Sequence, residues 1–378
     1  MTEPRRLVVL AAGGTGGHVF PADALAQELG RRGCELALIT DRRGGAYGGA
    51  LGALDTYHIR AGGIAGKNLA ARLKSALELA IGTWQARGLL RRLMPGAVIG
   101  FGGYASVPTM LAARFSGRPS MLHEQNAVLG RANRFLAGKV NRIATCFTEV
   151  IGVPDEASAR VVQTGMPIRQ SVRDLRDRPY PRIDGGEARL MVIGGSQGAR
   201  VLSDIVPEAI ARISEDLRSR LRIVQQCRPE DLERVEARYQ QLGVVAELSH
   251  FFDDVPEKLA EAHLVIGRCG ASTVAELTAI GCPALLIPYP HAIDDHQAKN
   301  AHAMDEAGAG WLIPEKIFTP EALASRLEEL FGLPATLEKA AACSKAAGHP
   351  DAVERLADLV EAILPTNGAN GGEGRVAA

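Results

Sequence analysis

At 378 residues the chain is too long for one ordinary core, so two domains are expected. Its 46% hydrophobic and 23% charged content is that of a folded soluble protein, not a disordered or fibrous one. A formal net charge of zero gives no global attraction to nucleic acid, and six scattered cysteines without a C-x-x-C pair suggest neither a zinc site nor a disulfide framework.

Strand-length apolar runs alternate with amphipathic helical segments. Leu7–Ala12, Leu36–Thr40 and Ala97–Phe101 read as buried parallel strands, with weaker candidates at Ser120–Leu122 and Arg142–Ala144. Pro21 to Arg32 reads as a helix with Pro in its first turn and Gly33 past its end. The longest uncharged stretch, Leu93–Ala113, contains Pro95, Gly96, Gly100, Gly102, Gly103 and Pro108, and reads as a buried strand with a glycine-rich loop rather than a membrane span. The pattern restarts near residue 188: strand Arg189–Ile193, a glycine-rich loop, helix Ala199–Arg212, then strands Arg222–Gln225, Leu264–Ile266 and Ala284–Pro288. This alternation predicts doubly wound α/β sheets in two similar, facing domains. The expected organisation is an N-terminal Rossmann-like domain over 1–166 and a second over 167–345. A helix over 346–364 is expected to return to the first domain, with a disordered tail at 365–378.

Three glycine-containing turns between strand and helix carry the chemistry. Gly13-Gly14-Thr15-Gly16-Gly17-His18 lacks the Lys-Ser/Thr of a Walker A loop, and Val19 stands where a dinucleotide fingerprint wants its third glycine. Asp41 keeps a nicotinamide reading open, as does a reading in which the glycines serve tight turns alone. A histidine directly after the glycines, at a helix start, favours a reacting ligand. In Gly194–Gly198, Ser196 and Gln197 can donate to phosphate or sugar oxygens. After the strand at Leu264, Gly270-Ala271-Ser272-Thr273 opens a helix whose free N–H groups suit a diphosphate, and Glu276 one turn in suits a ribose diol. The alternative is a capping-box relative, with Glu276 reaching back to Thr273.

Polar groups also follow other strands. Gln297 and Asn300 share a helix face after Ala284–Pro288, and Tyr104 and His123-Glu124-Gln125-Asn126 follow strands of the first half. They can meet sugar hydroxyls, although Glu124 could equally order its loop. No Asp-x-Asp occurs, and no metal is expected. From Lys67 to Arg92 there are six basic residues and one acid, with Leu73, Leu77, Ile81 and Trp84 at helical spacing. That pattern fits a helix lying on an anionic membrane, or an ordinary surface helix with a basic outer face.

The ordered set Gly-Gly-Thr-Gly-Gly-His, Gly-Gly-Tyr, His-Glu-Gln-Asn, Thr-Gly-x-Pro-x-Arg, Gly-Gly-Ser-Gln-Gly-Ala-Arg and Gly-Ala-Ser-Thr-x-x-Glu, with a late Gln, closely resembles the MurG family, from about Val8 to Gly310. The resemblance implies a GT-B fold, two Rossmann-like domains about a cleft, and an inverting transfer of GlcNAc from UDP-GlcNAc to lipid I, undecaprenyl-diphospho-MurNAc-pentapeptide, in peptidoglycan synthesis. It implies no cofactor, a peripheral place at the cytoplasmic face of the inner membrane, and cell-wall synthesis and division proteins as candidate partners. It places Thr15, Gly16 and Gly17 near the donor sugar and diphosphate, and Asn126 at the GlcNAc. Arg169 and Ser196 would hold the nucleotide, the Phe252 backbone uracil, Glu276 the ribose and Gln297 the sugar. His18 is the first choice of base and Glu124 the second. Val107 replaces a usual glycine and Met166 a usual Asn. A UDP-sugar epimerase, another lipid or natural-product glycosyltransferase, a nucleotide-sugar sensor and a nicotinamide-dependent oxidoreductase are the competing readings.

Overall fold

The computed structural model describes residues 6–14, 16–41, 48–62, 69–195 and 198–365. Thirteen strands among them form two sheets. The first contains β1 (Leu7–Ala11), β2 (Glu35–Asp41), β3 (Asp55–Ile59), β4 (Ala97–Gly100), β5 (Ser120–Glu124), β6 (Arg142–Thr145) and β7 (Val161–Gln163), in the order β3-β2-β1-β4-β5-β6-β7. The second contains β8 (Ala188–Ile193), β9 (Leu221–Gln226), β10 (Val245–Ser249), β11 (Leu264–Gly267), β12 (Ala284–Leu286) and β13 (Gly310–Leu312), in the order β10-β9-β8-β11-β12-β13. The strands within each sheet pair in parallel.

Parallel strands must be covered on both faces, which is why β1 and β8 are almost unbroken apolar runs. Leu7 and Val9 pack on one side of the first sheet, Val8 and Leu10 on the other, following the two-residue period of a strand. Leu190 and Val192 are likewise separated from Met191 and Ile193. The strand order reverses between β1 and β4 and again between β8 and β11, so loops leaving the carboxyl ends there diverge and open a crevice. Register makes this concrete. Ala11 lies beside Gly100, and Ile193 beside Gly267, so each pair of glycine-containing loops leaves its sheet side by side.

The chain crosses between the sheets twice. Beyond Met166, Ile168, Val172 and Leu175 join the core of the second domain, and the Tyr180 hydroxyl donates to the His263 carbonyl at 2.6 Å. Near the end, helix Ala352–Glu361 lies against helix Gly16–Arg31, with Leu356, Ala357 and Val360 buried beside Val8 and Leu10. Burial of each large side chain there contributes roughly 1.5–3 kcal/mol. Arg32 ties this helix down through Asp358 at 2.6 Å and Glu361 at 2.8 Å.

The two crossings touch. Gly165 has φ of +83°, and a Cβ built on it would stand 2.5 Å from the Cβ of His349. Gln163 Nε2 lies 3.1 Å from His349 Nε2 across the same junction. Gly165→Ala therefore meets backbone strain and a clash together, and is expected to destabilise the fold by roughly 1–3 kcal/mol. Thermal unfolding measures it; an unchanged midpoint would mean that the crossings separate without loss.

Two helices start earlier than their prolines suggest. The first begins at Gly16, so Pro21 sits inside it and brings no N–H to the carbonyl one turn back. Another spans Gly103–Phe115 with Pro108 inside, where a loop was expected through Pro108. Both extensions carry site residues, His18 and Tyr104, into first helical turns.

Candidate active site

The first glycine loop and the start of helix Gly103–Phe115 form one wall of the cleft. His18 lies in the first turn of its helix with its ring over Gly102 and Gly103. A Cβ on either glycine would come within 3.4 Å of that ring. Their φ values, +83° and +68°, also need glycine. The His18 Nδ1 lies 3.2 Å from Oε1 of Gln125. Burial lowers the His18 pKa, with Glu124 and the Gln125 bond opposing it, so the ring is neutral near pH 7. Tyr104 is half-buried on the same wall. Thr15 lies outside the described residues; Gly16 and Gly17 begin the helix with Gly16 against Phe20.

Glu124 ends β5 and is buried. One oxygen accepts from the Asn126 N–H at 3.0 Å; the other accepts from the Gly130 N–H at 2.9 Å and Asn133 Nδ2 at 2.8 Å. Its carboxylate is spent on shaping the loop that presents Asn126. This is the loop-ordering role that its sequence context left open beside the catalytic one.

Asn300 is equally committed. It is fully buried; its Oδ1 accepts from the Ala127 N–H at 2.9 Å, while Nδ2 donates to Asn126 Oδ1 at 3.1 Å and to the Cys269 carbonyl at 3.0 Å. It clamps the two domains and orients Asn126 rather than facing the cleft. Gln297, one turn before it, stays half-buried. Its Oε1 accepts from the Tyr289 N–H at 2.9 Å, which directs Nε2 away from that contact as a donor. Arg131 and Asp294 add a second interdomain contact, a two-pronged pair at 3.2 Å.

On the other wall, helix Ala271–Ile280 starts after Gly270, and no side chain caps it. The N–H groups around Ala271, Ser272 and Thr273 are thus available to an anion. Glu276 does not reach back as a capping-box residue. Its Oε1 takes both Arg169 Nη2 at 2.8 Å and Arg169 Nε at 3.1 Å, and Oε2 stays outside that pair. Burial raises the Glu276 pKa, and Arg169 opposes that shift. Two nucleotide-binding candidates 107 residues apart in sequence are thereby one unit. Phe252 is buried beneath the Lys258 ammonium, 5.1 Å from its ring centroid. Ser196 and Gln197 lie outside the described residues. The flanking loop is held by the Gly194 N–H donating to Gln226 Oε1 at 3.1 Å.

Asn133, Arg131 and Gln226 carry no sequence signal of a site role, and Gln125 is marked there as a possible ligand group rather than as the partner of His18. Arg131 and Gln226 work through contacts distant in sequence, Asn133 through the neighbouring strand end at His123 and Glu124. Among the described residues no group of three or more His, Cys, Asp or Glu side chains is arranged around a metal position.

Two doubly wound domains, with an uncapped helix start on one wall and a neutral histidine on the other, have the form of a GT-B sugar-nucleotide transferase. Comparison with known proteins narrows the class. The glycosyltransferase family 28 N-terminal domain matches residues 8–145, and the family 28 C-terminal domain matches residues 189–356. A relative from Paramagnetospirillum magneticum, named UDP-N-acetylglucosamine--N-acetylmuramyl-(pentapeptide) pyrophosphoryl-undecaprenol N-acetylglucosamine transferase, is 57% identical over 97% of this chain and 99% of its own. A protein of the same name from Rhodospirillum rubrum is 58% identical over 94% and 91%. The crystal structure of Acinetobacter baumannii MurG superposes with a TM-score of 0.77 at 28% identity, covering 95% of this chain and all of that one. The chain belongs to glycosyltransferase family 28, in the group of these N-acetylglucosamine transferases.

Proposed function

We propose that this protein transfers N-acetylglucosamine from UDP-GlcNAc to the 4-hydroxyl of MurNAc in undecaprenyl-diphospho-MurNAc-pentapeptide, converting lipid I to lipid II. The observation that carries the reading is identity above one half along nearly the full length of transferases with that name. The acceptor hydroxyl attacks C1 of the donor sugar in line and UDP leaves with inversion. Negative charge grows on the diphosphate, where the start of helix Ala271–Ile280, with Ser272 and Thr273, supplies a fixed compensating field. Glu276 and Arg169 hold the ribose and nucleotide, the Phe252 backbone meets the base, Ser196 and Gln197 meet phosphate, and Gln297 and Asn126 meet the sugar. Thr15, Gly16 and Gly17 let the donor approach closely. His18 takes the proton of the attacking hydroxyl. Glu124 is not assigned this step, because its oxygens are committed to the 126–133 loop.

The lipid-linked acceptor gives helix Leu69–Leu93 a purpose. At 100° per residue, Leu73, Leu77, Ile81 and Trp84 fall within an arc of about 80°, while Leu79, Gly82, Ala86, Leu90 and Leu93 face the core on the opposite side. Leu73, Leu77 and Trp84 are exposed by 64%, 62% and 78%, and Ile81 is half-buried. Lys74, Arg91 and Arg92 flank the stripe, exposed. Lys67 lies outside the described residues. No helix among the described residues is long and apolar enough to cross a membrane. The stripe suits peripheral docking on an anionic leaflet, at the cytoplasmic face where the nucleotide sugar is available.

The test is radiolabelled UDP-GlcNAc incubated with a lipid I analogue, with and without EDTA. Label is expected in the lipid product only when the acceptor is present, at a rate EDTA leaves unchanged. Consumption of UDP-GlcNAc without acceptor would point to an epimerase instead, and binding without any turnover to a sensor.

A further inference from the structure

Gln125 is buried, and one end of its amide is fixed by its surroundings. Nε2 donates to the Phe101 carbonyl at 2.9 Å, with His123 Nδ1 at 3.0 Å and the His123 carbonyl at 3.3 Å. Turning the amide over would press its oxygen against two carbonyl oxygens, so the nitrogen belongs at this end. Nδ1 of His123 then accepts, and the proton of that ring sits on Nε2, facing Cys146 Sγ at 3.6 Å. Complete burial keeps the His123 ring neutral, with its pKa pushed down to about 3.

The other end of Gln125 is an oxygen, which can only accept. It lies 3.2 Å from Nδ1 of His18, so that nitrogen must carry hydrogen. We infer that Gln125, locked by the Phe101 carbonyl and His123, holds neutral His18 as its Nδ1–H tautomer and so makes Nε2 the nitrogen that takes the acceptor proton. Nε2 lies on the Gly103 side of the ring, 3.5 Å from where a Cβ would stand on that glycine. Gln125 is thus a positioning residue: it acts through His18. The inference rests on the reading of His18 as base, and adds which atom reacts and what selects it.

The chain labelled with 15N-histidine, studied at mildly alkaline pH by long-range proton–nitrogen correlation, reads the tautomer directly; His18→Ala identifies the signals. The wild type is expected to show a protonated Nδ1 and a bare Nε2 at His18. Gln125→Met keeps side-chain length but removes the acceptor. It is expected to shift His18 toward the Nε2–H form and lower kcat about 10²-fold, while the KM for UDP-GlcNAc stays within about twofold. A bare Nδ1 in the wild type, or an unchanged His18 spectrum in Gln125→Met, would each overturn the inference. Near-normal turnover by His18→Ala would strike the base reading alone, since the wild-type spectrum does not depend on turnover.

Discussion

His18→Ala is expected to lower kcat with a lipid I analogue by about 10²–10⁴-fold while leaving UDP affinity nearly unchanged. The nucleotide contacts, Arg169–Glu276 and the start of helix Ala271–Ile280, belong to the second domain and do not touch His18. The loss should therefore appear in turnover rather than in donor binding. The pH profile carries the sign. Burial holds the His18 pKa below its ordinary 6.5, and the base must be unprotonated to act. Activity is expected to be flat near neutrality and to fall as pH drops through that lowered pKa, with the acid limb of kcat/KM below 6.5. Steady-state kinetics across pH measures both. Turnover within about threefold of wild type would remove His18 from the proton transfer, since general-base catalysis is worth far more. An acid limb above 6.5 would assign the titration to another group.

Most of the strands legible in the sequence are those buried on both faces. β1, β2, β4, β8, β11 and β12 are built on apolar runs, whereas β9, Leu-Arg-Ile-Val-Gln-Gln, alternates buried with half-buried residues; the boundaries of all seven fall within about two residues of expectation. The strands that escaped notice are β3, β7, β10 and β13, the four outer strands of the two sheets. Their burial is partial: Asp55, Thr56 and His58 are exposed in β3, and Val245 and Glu247 in β10. An edge strand has one neighbour and needs little apolar sequence, so the pattern that reveals a central strand is missing.

The site divides along a similar line. Glycines at strand ends declare themselves because backbone geometry demands them, and the histidine by its place directly after them. Whether a polar side chain faces ligand or scaffold is set by long-range contacts that spacing does not encode. Asn300 and Gln297 are three residues apart on one helix, yet the first is spent on Ala127, Asn126 and Cys269 while the second keeps its amide nitrogen for other donation. Glu276 and Thr273 had the spacing of a capping pair, but Arg169 reached the carboxylate first.

The second large effect concerns the exposed stripe. A variant carrying Leu73→Ser, Leu77→Ser and Trp84→Ser should fold with near-normal stability, because these side chains are mostly in water already. On a membrane they would enter the interface. Full burial of such a side chain is worth roughly 1.5–3 kcal/mol; shallow insertion of three, at about 1 kcal/mol each, gives a loss of about 10²-fold in partitioning to anionic vesicles. Lys74, Arg91 and Arg92 add about 1 kcal/mol apiece on anionic lipid, so their replacement by Gln should remove the preference for anionic over neutral vesicles and much of the salt sensitivity. Sedimentation with vesicles of the two compositions measures both effects. Turnover separates docking from chemistry: the triple variant should lose activity on acceptor embedded in vesicles and keep it on a short-chain, water-soluble acceptor. Unchanged vesicle binding would return the stripe to the status of an ordinary surface. Equal loss on both acceptors would mean that the helix supports the acceptor wall rather than the membrane, because Gly82 of this helix lies against Arg60 and Pro108, and Pro108 shares its helix with Gly103 and Tyr104.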